Sequence, residues 1–402
     1  MRLTLSDRSK VISALGIVQI FAWGSTYYLL AVLSGPIQAD TGWLPTWITA
    51  GISVGLLASG LVSMRIGRLI QTYGGRPVLA AAMSLIAAGL VLMAAAPNVG
   101  VFLLAWVVIG VGMGAGLYDA AFSTLGRIYG KDARRTITTL TLWGGFASTI
   151  CWPISAYVVS VVGWRGTCLG YAAFHLMVTL PLCLTILPRQ PRLMMEHSTD
   201  PGDHHPAPLR DPQFWLLATA GTTLSFVAAV WSVLLISIMK TWGVAASEAV
   251  ALGMLIGPAQ VGARMVEMAL GGRHHPVWTM LAATCLVGAG FLGMLLHLPA
   301  SLALIAYGAG NGIWSIARGA MPLSLFDPKD YPSIMGKLAM PSLLAAAAAP
   351  SIGAAFLEAF GGEMTLIALA AASLIPVLCA MILLKLRTKP SDQACRQTFT
   401  AE

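Results

Sequence analysis

The chain has 402 residues, of which 57% are hydrophobic and only 10% are charged. Its mean hydropathy is +0.78, whereas a soluble domain carries about 25% charged residues, so the composition excludes a protein whose main solvent is water. The formal net charge of +8 does not indicate a nucleic-acid partner, because the basic residues lie in short loops between apolar runs.

Apolar runs recur along the whole chain. A bilayer core about 30 Å thick needs about 20 apolar residues per helix. Runs bounded by charged or Pro/Gly breaks predict twelve spans, at 11–33, 46–70, 77–96, 100–126, 137–161, 166–187, 213–239, 247–270, 276–296, 299–325, 335–358 and 364–386. The first run is too long for a signal-peptide core and lacks a small-residue cleavage site, which predicts a retained helix. The predicted fold class is an all-α membrane protein with twelve transmembrane helices.

The longest polar stretch follows the sixth predicted helix and separates two groups of six. It predicts an N-terminal six-helix half at 1–188, a cytoplasmic linker loop at 189–211 and a C-terminal six-helix half at 212–402. With an even number of helices, both termini lie on the same side of the membrane.

An internal repeat relates the two groups of helices. Gly-Gly-Arg at 74–76 recurs at 271–273, an offset of 197, and Gly163 recurs as Gly361, an offset of 198. Such a register is the sequence signature of a duplicated transporter. Because six helices separate the copies, the two halves are expected to keep the same membrane orientation.

The basic residues are distributed very unequally between the two sets of loops. Twenty-one of the 24 Lys and Arg residues fall on the side of the termini, and only Arg165 and Lys240 fall on the other. Loops rich in Lys and Arg stay in the cytoplasm. We therefore expect a multi-pass protein of the bacterial inner membrane with both termini cytoplasmic.

The twelve predicted helices, the duplication, the central loop and a Gly/Arg motif after helices 2 and 8 together resemble the major facilitator superfamily over essentially the whole chain. The hallmark loop of that family reads Gly-x-x-x-Asp-Arg-x-Gly-Arg-Arg. Gly67, Gly74 and Arg76 are in place, whereas Gln, Thr and Gly occupy 71, 72 and 75, where the family has Asp, Arg and Arg. The resemblance implies the major facilitator fold, and we expect a monomer in the lipid bilayer with no cofactor.

The eighth predicted helix carries the most informative segment within this resemblance. Residues 260–264 are similar to the Asp-x-x-x-Arg segment of monocarboxylate-porter-type transporters, with Arg264 matching and Gln260 in place of the acid. The resemblance implies an anionic solute whose carboxylate meets Arg264. The helix-5 glycine pattern of drug/proton antiporters is poorly kept, since Trp152 precedes Pro153.

Charged residues inside predicted spans are candidates for function, because each costs at least about 2.5 kcal/mol on insertion scales. Asp119 in helix 4 and Arg318 in helix 10 map within one position of each other under the repeat. We interpret Asp119 as a proton-coupling or gating carboxylate and Arg318 as an anion contact or counter-ion; a static structural pair is the alternative. Glu267 is a second coupling or gating candidate, or it pairs with Arg264 three positions away.

Aromatic residues on the first helix form a further candidate surface. Trp23, Tyr27 and Tyr28 span just over one turn and could present a hydroxyl-bearing wall to a solute. An interface belt or a core position is the alternative for each. Four further residues could complete the wall: Trp143, Trp231, Asn311 and Trp314.

Other chemistry finds little support in the sequence. His175 is the only histidine within a span and fits a satisfied core residue better than a proton carrier. The six cysteines and the paired loop histidines lack metal-ligand spacing, so no metal site is predicted. No nucleotide-binding loop or Ser/His/Asp spacing supports catalysis, so we do not expect an enzyme.

The predicted function is secondary active transport of a small, anionic, monocarboxylate-like organic solute by alternating access, coupled to protons. Uptake or efflux of a larger amphipathic or aromatic compound, such as a drug, vitamin or metabolite, is the first alternative. A transceptor or membrane-anchored enzyme is the second. The sequence leaves the substrate, the direction of transport and the coupling ion open.

Overall fold

The computed structural model describes residues 5–192, 210–270 and 273–388, and these residues form helices joined by short turns, with no strand among them. The N-terminal helices are α1 Leu5–Gly24, α2 Leu30–Thr41, α3 Pro45–Tyr73, α4 Gly75–Ala94, α5 Val99–Gly116, α6 Tyr118–Tyr129, α7 Ala133–Gly145, α8 Ala147–Phe174 and α9 Leu180–Ile186. The C-terminal helices are α10 Pro212–Thr241, α11 Ala246–Gly253, α12 Ile256–Ala269, α13 Pro276–Leu295, α14 Ala300–Leu325 and α15 Tyr331–Thr388.

By length and composition, eight helical stretches within the described residues can cross a membrane. Two of them, Val99–Ile186 and Tyr331–Arg387, contain 88 and 57 residues, several times the about 20 residues that one crossing needs. Large apolar side chains are widely exposed, among them Tyr157 at 72% and Met177 at 76%, which suits contact with lipid rather than water. The protein is therefore a multi-pass helical membrane protein.

Two glycines reverse the chain inside these long stretches. Gly163 has φ 72 and ψ 176 inside α8, and Gly361 has φ 77 and ψ 176 inside α15. A positive φ is readily adopted by glycine alone. These are the same two positions that the sequence repeat relates, so the duplication is visible in the backbone. With these reversals, the order of helices fits twelve crossings.

The buried apolar side chains gather into two large clusters. One is drawn almost entirely from residues 11–187, and the other from residues 217–383. This arrangement agrees with two helix bundles. The exact domain limits at 188 and 212 stay a prediction, since residues 193–209 of the linker lie outside the described residues.

Four predicted spans are interrupted near their middle. The breaks fall at 25–29 between α1 and α2, at Leu117 between α5 and α6, at Phe146 between α7 and α8, and at 254–255 between α11 and α12. The predicted first span, 11–33, was therefore too short and wrongly continuous: the helical segment reaches Thr41 and contains a turn. Discontinuous helices inside a membrane bundle leave polar backbone groups available beside a cavity.

In the described part of the chain, a few elements make the extensive contacts between the N-terminal and C-terminal helices. On the N-terminal side they are α3, α6, α7 and the short turn Gly130–Asp132, and on the C-terminal side they are α12, α14 and α15. A Cβ atom at Gly67 would collide with the Pro332 carbonyl, and one at Gly336 would lie 2.5 Å from the Ser63 carbonyl. The Ser63 hydroxyl donates to the Gly336 carbonyl at 3.1 Å. Here α3 and α15 touch backbone to backbone.

The loops next to this contact carry most of the positive charge, and we call this end of the bundle the basic end, marked by Arg76, Arg127, Arg134 and Lys329. The side-chain amide of Gln71 donates to the Lys329 carbonyl and to the Asp330 carboxylate, both at 3.1 Å. Polar contacts therefore join the N-terminal and C-terminal helices at the basic end.

Candidate solute-binding site

Arg264 lies between the N-terminal and C-terminal helices, and only 6% of it is exposed. Its Nε donates to the Gly312 carbonyl of α14, and its Nη1 donates to the Thr141 carbonyl of α7, both at 3.1 Å. A Cβ atom at Gly145 would lie 2.5 Å from Nη1, so the missing side chain there leaves room for the guanidinium. The arginine thus joins α12 and α14 to a helix of the opposite bundle.

Glu267 does not neutralise this charge, so the alternative interpretation of Glu267, a pair with Arg264, does not hold in this structure. The Glu267 carboxylate accepts a hydrogen bond from the Thr279 hydroxyl at 2.8 Å. It lies 3.5 Å from Arg134 Nη2 and 3.2 Å from His274 Nε2. The side chain therefore points toward the basic end, away from the guanidinium.

Within the described residues, no acidic side chain lies within 4.0 Å of Arg264. The two recorded acceptors of its side chain are neutral backbone carbonyls. A buried charge without an opposite charge is strongly unfavourable in a low-dielectric interior. The site is therefore electrostatically prepared for an anion.

Aromatic rings form a continuous wall beside this arginine. The Trp23 ring lies 5.4 Å from Tyr27, 6.0 Å from Tyr28 and 5.1 Å from Tyr118, measured between ring centroids. The Tyr28 ring in turn meets Trp152 edge-on at 6.1 Å. The predicted grouping of the three helix-1 aromatics is confirmed as a contact cluster, and α6 and α8 extend it.

The aromatic wall faces the opposite bundle. The Tyr118 hydroxyl donates to the Thr141 carbonyl at 3.2 Å, the same carbonyl that accepts from Arg264. The Tyr28 hydroxyl lies within electrostatic range of Arg264, and the Tyr27 side chain lies near Ser232 of α10, across the boundary between the bundles. The rings and the guanidinium therefore lie close together at the boundary between the two bundles.

Asp119 and Arg318 form an ion pair between the bundles, which agrees with the counter-ion and structural-pair interpretations of these two residues. The Arg318 Nη2 donates to Asp119 Oδ2. Asp119 Oδ1 is buried and has no hydrogen-bond partner. Asp119 lies in the first turn of α6, directly after the break at Leu117, where the helix dipole favours a negative charge.

A cleft borders this ion pair and contains ≈ 340 Å³ of empty space, open solvent included. Trp314 and Arg318, one turn apart on α14, line it together with Asp119, Gly221 and Ser342. Asp119 also lines a second, smaller space of ≈ 190 Å³ next to Gly67 and Gly336. The carboxylate thus stands between the cleft and the packed basic end.

The remaining predicted site residues fall into two groups. Gln260 packs its backbone against Gly312, and Asn311 adjoins that glycine, so both lie near the carbonyl that binds Arg264. Trp231, by contrast, is 1% exposed and packs against Phe291 and Tyr307. Its predicted place in the wall is wrong, because it belongs to the C-terminal core.

The histidine within a span is a buried core residue, as predicted. His175 Nε2 bonds the Ser25 hydroxyl at 2.7 Å, and Nδ1 bonds the Thr179 hydroxyl at 2.9 Å. Both ring nitrogens are therefore satisfied at the break of the first helical segment. Gly74, the turn residue of the predicted loop motif, ends α3 with φ 90.

Sequence reasoning missed Tyr118 and Thr141. Tyr118 directly precedes the charged residue Asp119, which was the available signal. Thr141 contributes its backbone carbonyl, and no side-chain pattern reports such a role. The partner of Glu267, Arg134, was counted only as a loop charge.

A bundle of membrane-crossing helices with a charged and aromatic space between two sets of helices defines a solute transporter. The chain belongs to the Major Facilitator Superfamily, whose sequence model matches residues 15–316. No curated protein sequence matches the chain.

Solved structures of this superfamily share the fold. The human organic anion transporter MFSD10 (TETRAN) superposes with a TM-score of 0.75 at 14% identity, covering 93% of this chain and 99% of that one. The E. coli fucose:proton symporter FucP gives 0.71 at 15%, covering 92% and 98%. The proton:xylose symporter XylE bound to 6-bromo-6-deoxy-D-glucose gives 0.70 at 14%, covering 94% and 96%.

Proposed function

We propose that the protein is a secondary active transporter of a small, monoanionic organic solute whose carboxylate binds Arg264. The observation that carries this proposal is the buried guanidinium, which has no acidic partner among the described residues. A carboxylate can accept two N–H groups of one guanidinium, which makes Arg–carboxylate pairing strong and geometrically specific. Such a solute would compensate the buried charge of Arg264, which no acidic side chain among the described residues neutralises.

The Asp119–Arg318 pair is the proposed coupling element. It joins α6 to α14 across the two bundles, and its buried Asp119 Oδ1 has no hydrogen-bond partner. A proton on Asp119 would remove the negative charge and weaken the tie between the bundles. Protonation and the opening of the space between them would then be linked.

The basic end is proposed to face the cytoplasm of a bacterial cell, because positive loops are retained there. The backbone contact between α3 and α15 and the Arg134–Glu267 ion pair would then close the cytoplasmic side. Alternating access requires these contacts to separate when the opposite side closes. In this proposal Glu267 is a gating residue, Gly67 permits the close contact, and the protein acts as a monomer.

Three of the structurally similar proteins agree with parts of this proposal. One is an organic anion transporter, and two are proton symporters of sugars. Their identities of 14–15% support the fold alone, so the anionic solute rests on Arg264.

Uptake by purified protein in proteoliposomes tests the proposal. Acetate, lactate, pyruvate and benzoate are offered with and without an inward proton gradient, to the wild type, Arg264→Ala and the control Arg68→Ala. Arg68 is exposed at the basic end, so the control removes the same charge elsewhere. We expect gradient-driven uptake of a carboxylate by the wild type and the control and its loss in Arg264→Ala. Uptake that is equal in all three proteins would refute the proposal.

A further inference from the structure

Resting on the proposed function, the geometry points to a solute of one particular class: an aromatic monocarboxylate, with its carboxylate on Arg264 and its ring against the wall formed by Trp23, Tyr28 and Trp152. Both the number of charges and the nature of the surrounding surface support this assignment.

The charge count limits the solute to one negative charge. Arg318 is the other arginine near the space between the bundles, and Asp119 already neutralises it. Arg264, in contrast to Arg318, is buried and has no acidic side chain within 4.0 Å among the described residues. A dicarboxylate would therefore place its second charge where no free cation meets it, and the desolvation of that charge would oppose binding.

A tyrosine hydroxyl near the guanidinium could add a second contact to a bound anion. The Tyr28 hydroxyl lies within electrostatic range of Arg264, and among the described residues no hydrogen bond is recorded for it. It is therefore free to donate to a carboxylate oxygen. The Tyr118 hydroxyl is occupied by the Thr141 carbonyl, so these two tyrosines have different roles.

The aromatic wall continues away from the arginine to Trp152 on α8. The Trp152 ring meets Tyr28 edge-on at 6.1 Å between centroids. This contact places Trp152 at the end of the aromatic wall that starts beside Arg264. Trp152 is 44% exposed even though its ring meets Tyr28, so part of its ring surface is left uncovered by the protein.

Planar rings suit this surface better than an aliphatic chain. Aromatic pairs prefer edge-to-face or offset arrangements and gain more than their buried area alone supplies. A ring attached to a carboxylate could contact Trp23, Tyr28 and Trp152 while its anionic group remains at Arg264. A short hydrophilic acid would use the arginine but leave the wall uncovered.

Isothermal titration of the purified protein tests the inference with four probes: benzoate, acetate, terephthalate and benzamide. We expect benzoate to bind about tenfold more tightly than acetate or the dianion terephthalate, from one or two aromatic contacts. Neutral benzamide should bind weakly. Trp152→Leu should lower benzoate affinity about tenfold and leave acetate affinity unchanged.

The control is Trp278→Leu, because Trp278 is also exposed, at 48%, on α13. If Trp152→Leu fails to fold, the ratio of benzoate affinity to acetate affinity in the wild type tests the aromatic assignment by itself. Equal binding of benzoate and acetate, both dependent on Arg264, would overturn the aromatic assignment and leave the proposed function intact. Binding of benzamide as tight as that of benzoate, unchanged by Arg264→Ala, would overturn both.

Discussion

Arg264 and Arg318 lie on neighbouring helices of the same bundle, but their electrostatic environments differ. Arg318 meets a carboxylate from the other bundle, whereas Arg264 meets only the carbonyls of Gly312 and Thr141. The first arginine can hold two bundles together without a ligand. The second is incomplete until an anion arrives, so the difference separates a structural tie from a binding site.

Removing one partner of the Asp119–Arg318 ion pair should have the largest effect on stability and on transport. Asp119→Asn leaves Arg318 uncompensated, as Arg264 is now. Breaking a fully buried pair costs about 3–5 kcal/mol, and this pair, whose side chains are 16% and 27% exposed, should cost less than that. We expect a clearly lower midpoint of thermal unfolding in detergent and uptake that no longer responds to a pH gradient. The double variant Asp119→Asn/Arg318→Gln should recover most of the stability. A single variant as stable as the wild type would show that the pair does not hold the bundles.

Giving Arg264 an acidic neighbour should make its electrostatic environment resemble that of Arg318. Gln260→Asp places a carboxylate one turn before Arg264 on α12, within i,i+4 reach. An ionised Asp should compete with the solute and lower anion affinity about tenfold, the equivalent of about 1.4 kcal/mol. Protonation at low pH should remove the competition, so affinity should rise as the pH falls. Gln260→Asn is the neutral control, and titration calorimetry at two pH values would show an unchanged affinity if the idea is wrong.

Displacing the guanidinium without altering its charge should have a smaller effect. In Gly145→Ala the new Cβ would lie 2.5 Å from Arg264 Nη1, so the end of the side chain must move from the Thr141 carbonyl. A hydrogen bond from a charged group contributes about 1.5–3 kcal/mol, part of which relaxation recovers. We expect a several-fold loss of anion affinity with little change in thermal stability. Gly170→Ala, where nothing lies within 4 Å, should leave the affinity unaltered.

A substitution at the basic end should have the smallest effect of the four. Glu267→Gln removes the charge that Arg134 and His274 share, but the amide oxygen of Gln can still accept the hydrogen bond from the Thr279 hydroxyl, so much of the contact is kept. Hydrogen exchange of residues 63–73 should become modestly faster, because the contact between α3 and α15 opens more often. Glu248→Gln, at an exposed acid of α11, is the control. Equal hydrogen exchange in the two variants would show that Glu267 does not act in gating.

The spans could be predicted well from the sequence because the length of an apolar run is a local property. The predicted limits 213–239 and 299–325 correspond to Pro212–Thr241 and Ala300–Leu325. The repeat also indicated that Asp119 and Arg318 occupy equivalent depths, which is why their pairing could be anticipated. The helix break at Leu117 carried no such signal, since it depends on packing between distant segments.

Contacts across the two bundles are set by backbone positions that a sequence pattern does not contain. Three positions separate Arg264 from Glu267, and that spacing suggested a local pair. In the fold, Arg134 and Thr279 bind the carboxylate instead. The site was therefore partly predictable: its charged and aromatic residues could be named, but their partners could not.

Equilibrium binding of benzoate to the wild type and to Arg264→Gln, by titration calorimetry, tests most directly the claim that an unpaired arginine holds the solute. Gln keeps hydrogen-bonding capacity and removes the charge. We predict an affinity at least about tenfold lower in the variant, because a hydrogen bond to a charged group contributes about 1.5–3 kcal/mol. Equal affinity in the two proteins would contradict the account and place the anion elsewhere.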